Sequence, residues 1–186
     1  PGQSVTGLCP VDTFDDTPLY QRAEDQPDDA EVARRRSTYW APYHAQLRAE
    51  LDRLRAEHGR VLLWDAHSIR SVLPRFFDGK LPDLNLGTAD GASCAPELAQ
   101  QLLAIAEQAP GATAVLNGRF KGGYITRHYG QPEQGVHAVQ LELTQCSYMQ
   151  ETLPFAYLPE RAGALQPTLQ QLLQTALTWV QQPAQP

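Results

Sequence analysis

The chain has 186 residues, with 21 acidic against 15 basic side chains and 42% hydrophobic residues, enough for one domain with a sizeable core and short for two. A net charge of −6 and a pI near 5.3 argue against a nucleic-acid protein, which carries a basic face. No apolar run approaches the ~20 residues of a membrane span, no signal-peptide pattern opens the chain, and Cys9, Cys94 and Cys146 form no CxxC pair, so neither a disulfide scaffold nor a thiolate zinc knuckle is expected and a reducing, cytoplasmic setting fits. Residues 1 to 27, rich in Pro, Asp, Gly and Thr, read as irregular. Asp28 followed by Glu31 resembles a capping box that opens a helix. Val32, Tyr39, Tyr43, Leu47, Leu51 and Leu54 give that helix one apolar stripe, with a kink or split at Pro42 and a stop at Gly59. The run from Arg60 to His67 reads as a buried strand with a polar end. Residues 68 to 94 read mostly as loop, with a short strand at Leu84 to Leu86. Pro96 suits the first turn of a second helix carrying Leu98, Leu102, Leu103 and Ile105, ended by Pro110-Gly111. Short strands are expected at Ala112 to Leu116 and at Tyr124 to His128, and a clear one at Val136 to Thr144. A last helix spans about Glu160 to Val180, with Leu165, Leu169, Leu172, Leu173 and Leu177 on its apolar side. Strands alternating with helices predict an α/β layered domain with a mixed sheet.

Three features carry chemistry. His67 ends a strand beside Asp65, and in open α/β sheets ligands and metals gather outside strand ends; an imidazole there is a metal ligand that a carboxylate orients, or a satisfied loop histidine. Strand alternation puts Val136, Ala138, Gln140, Glu142 and Thr144 on one face and His137, Val139, Leu141 and Leu143 on the other. Glu142 is then either a metal ligand or general base in a costly buried position, or a glutamate on the wet face of an edge strand. The stretch from Asn117 to Gly130 sets Lys121 between Arg119 and Arg127 among glycines; arginine forks match carboxylates, so a small anionic substrate fits, and a solvated loop fits also. His137 reads as a core histidine, His44 and His58 as surface or packing residues, and Arg34 to Arg36 as a solvated face. No Cys-His-acid pattern marks Cys94 or Cys146 as a nucleophile.

The segments Thr6 to Pro10, Trp64 to Ser71, Asn117 to Gly123 and Gln140 to Leu143, in this order, closely resemble the N-formylglutamate amidohydrolase (deformylase) family over essentially the whole chain. The resemblance implies hydrolysis of N-formyl-L-glutamate to formate and L-glutamate, the last step of one bacterial route of histidine breakdown. It also implies a three-layer α/β/α sandwich related to zinc carboxypeptidases and aspartoacylases. Carried over by residue, His67 matches the zinc-binding histidine and Glu142 the glutamate that activates the metal-bound water. Arg119 and Arg127 match side chains that hold substrate carboxylates or polarise the formyl oxygen, with Arg70 and Asn117 candidates for the same work. Zinc is the implied metal, though histidine and carboxylate ligands accept other divalent ions. Relatives draw a further histidine and an acidic ligand from a segment before the one that starts here. The chain opens Pro1-Gly2-Gln3 and its only methionine is Met149. Residues 1 to 186 are therefore expected to form one α/β amidohydrolase domain that is the C-terminal part of a longer one, with an exposed sheet edge that self-association would cover. The alternative to turnover is an inert domain that binds acidic amino acids through the basic loop.

Overall fold

A computed structural model describes residues 7–182. Thr6, the first residue of the first motif, lies outside them, as do residues 1–5 of the segment read as irregular. The described chain falls into two compact units, residues 7–50 with 72–80 and residues 51–71 with 81–182.

In the first unit, Arg75 pairs with Asp12 at 3.1 Å and Asp16 at 3.0 Å, and Phe14 meets Phe76 edge to face at 5.0 Å. Helix α1 (Asp29–Arg35) starts where expected, with Asp28 accepting from the Glu31 amide at 2.8 Å. Glu31 does not complete the reciprocal box; its carboxylate takes Arg34 and Arg35, each at 2.7 Å. Before Pro42 the helix widens into a π-turn, Arg36–Trp40, and continues as α2 (Ala41–His58). Pro42 therefore sits in the first turn of α2, where its missing N–H costs nothing. The inserted turn also breaks the expected stripe. Of its six residues only Leu51 is buried, and Tyr39 and Tyr43 are exposed; the π-turn puts Val32 out of phase with the residues of α2.

The second unit is a four-stranded mixed sheet, β1 (Val61–Ile69), β2 (Leu84–Gly87), β3 (Ala114–Leu116) and β4 (Val136–Thr144), in the order β1-β4-β2-β3. β1 runs parallel to β4, β4 antiparallel to β2, and β2 parallel to β3. Among the described residues β1 pairs with β4 alone; of the apolar run read as buried, Val61 is buried and Leu62 to Trp64 are partly buried, while Ala66, His67 and Ser68 at its polar end are exposed.

Helices α3 (Pro96–Ala106) and α5 (Pro159–Gln181) pack on the face bearing Leu84, Leu86, Val139 and Leu141, with Leu98, Leu102, Leu165 and Leu172 in one core. On α5 the buried row is Ala162, Leu165, Thr168, Leu172 and Ala176. Leu173 and Leu177 are exposed, each one position round the helix from the buried line of Leu165, Leu172 and Ala176. The segment read as a strand at Tyr124 to His128 is instead helix α4 (Tyr124–Tyr129). Its β-branched and aromatic residues suit a pleated surface, but the residues it buries are Thr126 and Tyr129, three apart, which only a helix puts on one side.

His137 behaves as the core histidine expected. Its Nδ1 accepts the Ala95 amide at 3.2 Å, and its ring meets Trp179 edge to face at 4.7 Å. Arg60 lies over Trp179 at 4.0 Å and donates to the carbonyls of Trp179 and Gln182, capping α5. Burial, with the nearby Arg60 charge, holds the His137 imidazole down at about 4. The unfolded chain therefore takes up this proton before the folded one does, and the stability owed to the neutral ring is present above pH ~6.5 and drains as pH falls from there to about 4. Urea midpoints measured across that window will fall more steeply in the wild type than in His137→Gln, whose amide oxygen keeps an acceptor but cannot charge.

Candidate active site

The polar residues of the sheet gather on the face opposite α3 and α5. Parallel register sets His67 of β1 beside Glu142 of β4, and Asp65 beside Gln140. Antiparallel register sets Asn85 of β2 beside Glu142, and Gly87 beside Gln140. Two rows thus cross the strands, His67–Glu142–Asn85 and Asp65–Gln140–Gly87, and in-register neighbours share a face.

Glu142 is 7% exposed. Burial pushes its carboxyl up to about 7, the Asp65 charge adds to that, and His67 opposes it. A carboxyl in that range exchanges a proton readily near neutral pH. His67 is half-exposed, with Nε2 2.9 Å from Asp65 Oδ1. That hydrogen bond raises the imidazole above its ordinary value despite partial burial, so the charged form is favoured beside the base. Asn85 donates through Nδ2 to the backbone carbonyls of Pro82 at 2.6 Å and Glu142 at 3.1 Å, which fixes the strand backbone that carries the carboxylate.

The glycine-rich loop closes over this face. Gly87 is the reason it can: a Cβ there would lie 2.6 Å from both the Gly122 nitrogen and the Lys121 carbonyl carbon. Gly122 itself has φ +110, a conformation side chains rarely adopt. The loop is stitched to the turn after β2. Asn117 Oδ1 accepts the Thr88 amide and its Nδ2 donates to Thr88 Oγ1, both at 2.8 Å. The Ala89 amide donates to the Lys121 carbonyl at 2.6 Å, and Lys121 Nζ pairs with Asp90 at 3.0 Å. From the loop, the Gly123 amide donates to Gln140 Oε1 at 2.7 Å, and Gln140 Nε2 donates to Glu142 Oε2 at 3.3 Å. Arg127, on α4, donates to the Gly122 carbonyl.

Of the residues singled out from sequence, His67 and Glu142 are brought side by side. Arg127 is joined to the loop that reaches Glu142 through Gln140. Arg119 is half-buried in that loop, its guanidinium 5.5 Å from the Phe120 ring centre, and Arg70 follows β1 directly. Asn117 spends its amide on Thr88, so it shapes the loop. Sequence reading missed the linking work of Gln140 and the part of Asn85, whose one signal was an amide between two leucines. Burial pushes the Cys94 thiol up to about 12, so it stays protonated and un-nucleophilic.

A catalytic zinc takes three protein ligands. Among the described residues no three His, Cys, Asp or Glu side chains form a group that could hold a metal ion. His67 offers one imidazole, and the described residues do not by themselves fit a zinc site. Among the described residues no helix is long and apolar enough to cross a membrane.

Residues 1–149 match the family model for N-formylglutamate amidohydrolase. The chain is 55% identical over 176 residues to N-formylglutamate deformylase of Pseudomonas aeruginosa and 54% identical to that of Pseudomonas putida; each match covers 95% of this chain and 66% of the relative. The chain thus spans just under two thirds of the length of these curated relatives. The crystal structure of an N-formylglutamate amidohydrolase from Ralstonia eutropha superposes with a TM-score of 0.72 at 27% identity, covering 87% of this chain and 57% of that one. An Agrobacterium tumefaciens protein shares the fold at a TM-score of 0.59 and 20% identity, over 92% of this chain and 64% of that one.

Gly87→Ala tests the close approach of loop and sheet. The added methyl meets backbone on both sides, which cannot give way as a side chain does, so a loss of about 1–3 kcal/mol is expected. Chemical denaturation measures it, and a stability equal to wild type would mean that the loop does not lie on β2.

Proposed function

The chain belongs to the N-formylglutamate amidohydrolase family, and from that premise we propose that it hydrolyses the amide of an N-formylated acidic amino acid, N-formyl-L-glutamate, as a step in histidine breakdown. The observation that carries this reading is the pairing of a buried Glu142, poised near neutrality, with a charged-leaning His67 in the next strand. An amide resists neutral water, so the attack needs a base, a partner for the developing oxyanion and a proton for the leaving amine. Glu142 takes the proton of the attacking water as the new C–O bond forms at the formyl carbon. His67, held by Asp65, faces the formyl oxygen as charge collects there. The C–N bond then breaks, and the proton held on Glu142 passes to the departing amine, giving formate and glutamate. Arg119 and Arg127 hold the substrate's carboxylates as guanidinium forks, with Arg70 beside the end of β1 as a further cation.

A second reading deserves a place in the test because the described residues supply one metal-ligating imidazole and not three. In it, the arginines and the loop bind an acidic amino acid without cleaving it. Formate release from N-formyl-L-glutamate, with and without added zinc, separates the two. Release that depends on zinc and is lost in His67→Ala assigns a metal role to His67. Release independent of zinc assigns the chemistry to the side chains alone, and binding without release under either condition favours the second reading.

Glu142→Gln keeps the shape and removes the base. A fall in kcat of about 100-fold or more is expected, with KM little changed. Arg127→Met should instead raise KM, as loss of a charged fork weakens ground-state and transition-state binding alike. Steady-state kinetics on the two variants checks both, and an unchanged kcat in Glu142→Gln would remove Glu142 from the mechanism.

A further inference from the structure

We propose that Gln140 is a positioning residue, which ties the glycine-rich loop to the base so that Glu142 is aligned only when the loop is seated. This rests on the reading of Glu142 as the base. The polarity of the amide makes the case. A backbone N–H can only donate, so the Gly123 amide fixes Gln140 Oε1 toward the loop. Gln140 Nε2 is then forced toward Glu142, and donates to its Oε2 at 3.3 Å. The side chain cannot turn over without losing both bonds. Gln140 is 5% exposed, so no bulk water replaces either bond when it breaks.

Three other features converge on the same link. Gln140 stands in register with Gly87, and the missing side chain at Gly87 is what lets the loop backbone descend far enough for Gly123 to reach it. Arg127 holds the Gly122 carbonyl, so the arginine assigned to the substrate's carboxylate grips the oxygen of the same peptide whose N–H donates to Gln140. Asp65 lies in register on the other side of Gln140, so the amide stands between the loop and both acidic groups of the site. One oxygen of Glu142 is held by Gln140, and the other takes the proton.

A side chain that served only to anchor the loop would need an acceptor for Gly123 and nothing more. Gln140→Glu keeps that acceptor and loses the donor to Glu142. Gln140→Met loses both. Expected for Gln140→Glu is a KM within about twofold of wild type and a kcat lower by about tenfold or more, from the lost donor and from the like charge set beside Glu142; Gln140→Met, which adds no charge, loses in both parameters. Gln140→Glu turning over like wild type would overturn the proposal.

Amide hydrogen exchange at Gly123 gives a readout that needs no turnover, with thermal unfolding run alongside to confirm that each variant folds. Glu142→Gln, which weakens the far end of the link, should speed Gly123 exchange about threefold in the wild-type background and leave it unchanged in the Gln140→Met background. If wild type releases no formate while this pattern appears, the hydrolase reading fails and the coupling stands. If Gly123 exchange ignores Glu142→Gln in both backgrounds, the coupling fails whatever the activity.

Discussion

Burying a carboxylate in the second strand of a four-stranded sheet is the constraint on which this site depends. β4 lies between β1 and β2 and is buried along nearly its whole length, so Glu142 loses its water on both flanks. An isolated ionised carboxylate there would cost several kcal/mol. The sheet meets that cost by segregation. One face, with Leu84, Leu86, Val139 and Leu141, is given to the core under α3 and α5, where the one buried polar strand residue, His137, has the Ala95 amide as its partner. The other face collects Asp65, His67, Asn85, Gln140 and Glu142, where each polar group has another beside it. The apolar face fixes the register, and the register fixes which polar groups meet.

The loops complete what the strands begin. β2 and β3 run parallel, so the turns that follow them leave the sheet side by side. Asn117, held at φ +54, accepts from and donates to Thr88. Positive φ at a non-glycine residue is disfavoured, and asparagine tolerates it best. The two hydrogen bonds to Thr88 offset what the conformation costs. The same stitching, through Ala89 and Lys121, delivers Gly122 and Gly123 over Gly87 and Gln140. A residue chosen from sequence as a candidate for the substrate's carboxylate therefore turns out to set the loop on which the arginines ride.

Much of this was legible in the chain itself. The strand from Val136 to Thr144 and its two faces follow from alternation alone, and His67 was marked by its place at the polar end of an apolar run. The adjacency of His67 and Glu142 was not legible. It depends on β1 pairing with β4 across the whole of β2, α3 and β3, and no local pattern states which strands become neighbours. The strand assigned to Tyr124 to His128 failed because residue preference was read where spacing decided: Thr126 and Tyr129 are the buried pair. The single stripe from Val32 to Leu54 is interrupted by the π-turn before Pro42, which sets Val32 out of phase with α2. Gln140 was visible as a polar residue on the right face, but its role needs the loop overhead, and only Gly87, by lacking a side chain, hints that another backbone comes close.

The placement of the arginines follows from what the base requires. A substrate with two carboxylates calls for cations, yet a guanidinium set against Glu142 would hold its carboxyl low and spoil it as a base near neutral pH. The charges that bear on Glu142 are those of Asp65 and His67, which oppose each other, while burial sets the direction. Arg127 is instead exposed on α4 and turned to the Gly122 carbonyl, and Arg119 rides in the loop. The cations are thus carried on the layer that lies over the sheet, and the base on the sheet itself. Between them stands an uncharged amide, Gln140, which can transmit position from one layer to the other without adding a charge of its own. A lysine or arginine at that point would lower the base, and a carboxylate would raise it further; glutamine links the two layers and leaves the proton affinity of Glu142 to burial and to the Asp65–His67 pair.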